Sequence, residues 1–133
     1  MPRALWPAGT RLVLVLLIAG CTLIHGEPVP PGVADVSGFW DGTWDAGSGV
    51  GHGQIQLELK QSATTVNGQV TITGVTAISA TDGRIEGQVV GNVFTFKQPA
   101  GVLEGKLEAN GDELHGAATG LLRMALSLRR VPQ

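Results

Sequence analysis

The chain has 133 residues, enough for one small domain and no more. Its net charge is −2 with no basic cluster, which argues against nucleic-acid binding and against a polybasic grip on a membrane surface. Only one cysteine is present, so an intrachain disulfide is excluded.

In chain order, the first element is an address. Arg3 and Arg11 give a positive start, and LVLVLLIA (12–19) is an apolar core. That run is too short for a transmembrane helix, which needs roughly 20 residues, and it suits a secretory signal. It leads into Ile18-Ala19-Gly20-Cys21, which resembles the bacterial lipobox: an aliphatic residue, two small residues, then cysteine. The resemblance implies a lipoprotein whose signal peptide, residues 1–20, is cleaved before Cys21. It further implies a diacylglyceryl thioether on Cys21 and a fatty acyl chain such as palmitate on the new N-terminus. Lipidation also accounts for a lone thiol outside the cytoplasm, and several acyl chains anchor a protein stably. In that family an aspartate after the cysteine marks inner-membrane retention. Thr22 stands there instead, so a cell envelope with two membranes implies the outer one.

Residues 21–36 follow as the lipidated cysteine and a tether, since 22–36 hold three of the seven prolines and show no sustained period. His25 lies in it without a specific role. The remainder, 37–133, reads as one domain. Loss of Arg3 and Arg11 with the leader leaves seven basic against eleven acidic residues, a net −4.

The period in that domain is two. Ile55, Leu57 and Leu59 alternate with Gln54, Gln56, Glu58 and Lys60, and Leu122, Met124, Leu126 and Leu128 alternate with Arg123, Ala125, Ser127 and Arg129. Such alternation predicts half-buried antiparallel strands. Eight are expected, near 38–45, 52–61, 64–73, 83–90, 93–98, 101–109, 112–118 and 122–130. Gly91-Asn92 and Asn110-Gly111 mark tight hairpins. Eight short strands with one apolar face and no helix to cover it must close on themselves. The fold class is therefore all-β, a small up-and-down meander barrel, which removes exposed edges.

Several strands carry a central glycine: VNGQV (66–70), IEGQV (85–89), LEGKL (103–107) and the weaker LHGAA (114–118). A strand glycine costs about 0.5–1 kcal/mol in chain entropy, and the usual compensation is room for a neighbour. Pairing across Gly91-Asn92 sets Gly87 opposite Phe96. A turn at Pro99-Ala100 sets Phe94 opposite Gly105, and a turn at Ser62-Ala63 sets Leu57 opposite Gly68. Pairing across Asn110-Gly111 sets Gly105 opposite Gly116, Leu103 opposite Ala118 and Glu108 opposite Glu113. Two facing glycines beside small residues predict a thin wall, so any ligand cavity belongs beside Gly105, Gly116, Leu103 and Ala118. Trp44 is either core or a stacking platform there.

Gly38-Phe39-Trp40 resembles the Gly-x-Trp of the first strand in calycins, the superfamily of lipocalins and avidins. That resemblance implies a lipocalin-like barrel whose tryptophan closes one end, with a basic residue of the last strand over it. Parity makes Arg130 that residue, so Trp40 and Arg130 are the expected structural lid, a cation–π pair. It implies no ligand identity.

No constellation points to catalysis. His52 and His115 both fall outward on distant strands, His115 across from Lys106. Asp41 and Asp45 share a solvated face. No metal site or cofactor is expected, and GSGVG (47–51) lacks the helix N-terminus that holds phosphate. The chain is thus expected not to be an enzyme. Two functions stay open: an envelope lipoprotein holding a small apolar or amphipathic molecule in its barrel, or an envelope interaction module, inhibitor or accessory subunit with a filled barrel. The second predicts an apolar outer patch, for which Val90, Val93 and Val102 are candidates.

Overall fold

The computed structural model describes residues 26–76, 83–120 and 122–132, and among these there is no helix. The signal peptide, Cys21, Thr22 and His25 lie outside the described residues. Eight strands run β1 Gly38–Asp45, β2 Gly51–Ser62, β3 Thr65–Thr76, β4 Gly83–Val90, β5 Val93–Lys97, β6 Glu104–Asn110, β7 Glu113–Thr119 and β8 Arg123–Arg130. Each pairs antiparallel with its sequence neighbours, and β1 also pairs with β8, so the meander is a closed barrel, in which β3 pairs with β4 through Thr65–Val70. The alternation that predicts the strands also predicts their faces. Ile55, Leu57, Leu59, Val66, Val70, Ile85, Val89, Phe94, Leu107, Leu114 and Leu128 are all buried in one core.

The registers follow the turns, and three of the expected ones shift by two positions. Across Gly91-Asn92 the pairing is as expected, with Val90 opposite Val93 and Gly87 opposite Phe96. The β6–β7 turn is Gly111-Asp112 rather than Asn110-Gly111, so Asn110 pairs with Glu113. Both hairpins put glycine first, at φ +59° for Gly91 and +62° for Gly111. That is the order a II′ turn takes, whereas Asn-Gly is a I′ signal that needs both residues in the left-handed region. The β2–β3 turn is Ala63-Thr64, so Leu59 rather than Leu57 faces Gly68. Residues 98–103 form a longer loop, closed by the Gln98 N–H donating to Leu103 O at 2.8 Å, so Phe96 rather than Phe94 faces Gly105.

These shifts overturn the facing pair. Gly105 lies opposite Ala118, Gly116 opposite Leu107, and Glu108 opposite His115. Because each slip is two positions, no side chain changes face. The glycines are nevertheless explained by their neighbours. A Cβ at Gly68 would lie 2.9 Å from Leu59 Cδ2, one at Gly87 2.8 Å from Phe94 Cε1, and one at Gly105 would run into the Phe96 ring. Gly53, opposite Gly74, makes the same space for Trp44.

Residues 26–36, expected as tether, are docked across one end of the barrel as a strap. Val36 is fully buried, and Val33 and Ala34 pack against the core. Gln61 clamps them: its Oε1 accepts from the Val36 N–H at 2.8 Å, and its Nε2 donates to Ala34 O at 3.0 Å and Ala63 O at 2.9 Å. The Ala34 N–H donates to Gly91 O at 2.8 Å and the Ala63 N–H to Glu27 O at 3.1 Å. The folded unit therefore begins well before Ser37. Prolines here stiffen a strap whose amides find partners on the barrel rather than in water.

Candidate functional site

Trp40 and Arg130 meet under the strap. They are direct cross-strand partners between β1 and β8, and the guanidinium carbon sits 4.4 Å from the Trp40 ring centroid. Arg130 Nε donates to Asp112 Oδ1 at 3.0 Å, Nη2 donates to Asp35 O at 2.8 Å, and Nη1 donates to Ser37 O. Trp40 Nε1 donates to Val36 O at 2.9 Å. One arginine thus ties the first strand, the last strand, the β6–β7 turn and the strap together. Planar, always charged and rich in donors, it suits that junction better than lysine would.

The residues expected around a ligand cavity are placed otherwise. Trp44, Leu103 and Ala118 are buried members of the core. Trp44 Nε1 donates to Thr73 O at 2.9 Å, which fixes the ring as core rather than leaving it as an open platform. Phe96 occupies the space beside Gly105, and a Cβ at Gly116 would meet the backbone of Lys106 and Leu107. Phe96 therefore fills the space beside Gly105, and Gly105 and Gly116 do not face each other.

A concavity lies instead on the outer wall of β3–β7, a groove of about 850 Å³. The register explains its form. One cross-strand row of outward side chains runs Asn67, Glu86, Lys97, Glu104, Thr119, and the next runs Thr65, Gln88, Thr95, Lys106, Ala117. Neighbouring strands are about 4.8 Å apart and like-facing residues about 7 Å apart along a strand, so the rows wall a channel about 19 Å long. Gly87, Phe96 and Gly105 supply backbone to its floor. Glu86 is bridged by Arg84, while Lys97, Glu104 and Lys106 make no ion pair among the described residues. The groove thus offers amides, hydroxyls and both signs of charge to water. Sequence reading missed it because the rows exist only once the registers are known.

A second cluster was also missed. His115 faces Glu108 and Ser127, not Lys106. Ser127 Oγ lies 3.3 Å from His115 Nδ1, and His115 Nε2 lies 3.2 Å from Glu113 Oε2. Arg129 Nη2 donates to Glu113 Oε1 at 2.8 Å. Serine, imidazole and carboxylate are thus in line, but with the ring nitrogens reversed from a hydrolytic triad, where serine meets Nε2 and the carboxylate Nδ1. Their setting differs: the chain lies on an exposed outer wall, where water rather than fixed dipoles surrounds any developing charge. The cluster reads as a solvated cross-strand network.

His52, Asp41 and Asp45 are exposed, and no three metal-ligating side chains gather among the described residues. Val90 and Val102 are exposed, but at opposite ends of the barrel, so they form no single patch with Val93. No family model, curated protein or solved structure matches this chain.

Proposed function

We propose that the protein is a lipid-anchored module of the cell envelope that works from its outer surface, with the barrel as a self-filled scaffold. The anchor is Cys21, acylated after removal of residues 1–20; in a two-membrane envelope Thr22 favours the outer membrane. The calycin likeness enters here as architecture, with Trp40 and Arg130 as the lock of one end, and it brings no ligand with it.

The observation that carries this reading is the filling of the lumen. Trp40, Trp44, Phe94 and Phe96 are each 3% exposed or less, together with a continuous aliphatic lining. Full burial of one such side chain contributes about 1.5–3 kcal/mol, so a guest must displace something already stable. The outer groove then becomes the contact surface. Each strand of the closed barrel is paired on both sides over much of its length, which leaves a partner peptide little edge to extend as an added strand. Recognition falls to the two side-chain rows, and the partner is an envelope protein presenting a hydrophilic surface of mixed charge. No chemistry is assigned to the Ser127–His115–Glu113 network, and the module is not an enzyme in this reading.

The charge-reversing pair Lys97→Glu and Lys106→Glu tests the groove without touching the core. Cross-linking in host envelopes should give a defined partner with the native chain, lost with the double variant at equal membrane abundance. Equal cross-linking by both chains removes the groove from the account. A small apolar guest in the lumen, the competing reading, predicts bound mass instead of a protein partner.

A further inference from the structure

We infer that the strap end of the barrel is a lipid-docking surface, seated on the interface of a bilayer with zwitterionic headgroups. This rests on the lipid-anchor reading of Cys21. Three observations converge on that end.

The first is reach. Gly26 is the first described residue, and next to it the Glu27 N–H donates to Ser62 Oγ at 3.0 Å beside the β2–β3 turn. Cys21 stands five residues earlier in the sequence. Five residues span at most about 18 Å when fully extended. An eight-residue strand is about 27 Å long, so an anchor at Cys21 cannot reach past the barrel to its far end. Whatever the acyl chains enter, the strap end is nearest to it.

The second is where exposed apolar side chains fall. Phe39 is 43% exposed, Val131 38% and Val90 74%. Phe39 and Val131 are joined by the Val131 N–H donating to Phe39 O at 2.8 Å, on the β1/β8 side of the strap. Val90 precedes the Gly91-Asn92 turn on the β4/β5 side, opposite the half-buried Val93. The strap crosses between these two sides, and its Pro28 and Pro31 are exposed. A flat apolar boundary brought to this end meets both sides of the rim at once. The far end exposes Val50 and Val102, beyond the reach of the anchor.

The third is charge. Glu27, Asp35 and Asp112 stand at the strap end, and Arg130 is already engaged by Asp112 and by strap carbonyls. No basic cluster draws this surface to anionic lipid, which selects a zwitterionic headgroup. Docked this way, the barrel stands upright and the outer groove of β3–β7 faces sideways, accessible from the aqueous phase.

Hydrogen exchange on the mature acylated chain in phosphatidylcholine vesicles tests this directly, against Cys21→Ser in the same buffer. The intact mass is read first, to establish that the acyl chains are present. Exchange should then slow severalfold at the turn amides of Asn92 and Asp112, while amides near Gly49 and Gly101 are unchanged. The variant Phe39→Asp with Val90→Asp should lose that protection although its acyl mass and its core-strand protection persist. Protection at Gly49 and Gly101, or at neither end, in an acylated sample would overturn the docking while leaving the anchor standing. An unacylated mass would instead remove the anchor, and this inference with it.

Discussion

Arg130 is the residue on which most of the account converges. Its guanidinium covers Trp40 and at the same time binds Asp112 and the strap carbonyls, so its removal uncovers the Trp40 ring and frees the strap from β8. Trp40→Ala should cost about 3–5 kcal/mol by cavity formation, and a double-mutant cycle with Arg130→Ala in urea unfolding should show coupling of about 0.5–2 kcal/mol. Additive losses would mean the two side chains merely lie close. Gln61 plays the matching part on the other side. Gln61→Ala removes the acceptor for the Val36 amide and the donor to Ala34 and Ala63. It should destabilise by about 1–3 kcal/mol, with exchange of the Val36 amide accelerating more than that of the core strands. Uniform acceleration would show that the strap and barrel unfold as one unit. The Trp40–Arg130 juxtaposition was readable from the Gly-x-Trp resemblance, with parity along the last strand singling out Arg130. The Gln61 clamp was not, since a polar residue near a strand end looks solvated until its partners arrive from a segment 25 residues away.

At the scale of the element, the hairpins decide which residues meet. Gly111 carries the left-handed φ of the β6–β7 turn, whereas Asn110 is the last residue of a strand. Gly111→Ala should therefore cost about 1–2 kcal/mol, while Asn110→Thr should stay within about 0.5 kcal/mol. A large loss at Asn110 would restore the Asn-Gly turn and the register that faces Gly105 with Gly116. The strand glycines make a second prediction. Gly105→Ala drives a methyl group into the Phe96 ring and should destabilise by about 1–3 kcal/mol, with part of the loss recovered by Phe96→Leu in the same chain. A neutral Gly105→Ala would mean open space beside that strand after all. The existence and faces of all eight strands were legible, because alternation is a local property of the chain. Registers were legible only where the turn was unambiguous, as at Gly91-Asn92. At Ser62-Ala63, Pro99-Ala100 and Asn110-Gly111, alternative turns of similar local plausibility move the pairing by two, and only the packing of Leu59, Phe96 and Leu107 against glycines decides among them.

For the whole molecule, closure of the barrel has two consequences that a list of strands does not convey. It gives every strand a partner on both sides, and it brings β1 beside β8 so that the strap and the C-terminal strand share one end. The meander was legible from short connections and the lack of any helix. The outer groove was not, being a product of five strands in register, and neither was the strap, whose proline content resembles that of a free linker. In the function proposed above, the lumen is filled by its own side chains and the protein works from its outer surface. Native mass spectrometry of the protein, released gently from its own host in detergent, is the test. A self-filled barrel gives the mass of the covalent chain alone, unchanged on denaturation. A reproducible further mass of small-molecule size that leaves on denaturation would contradict it, and would make this barrel a carrier.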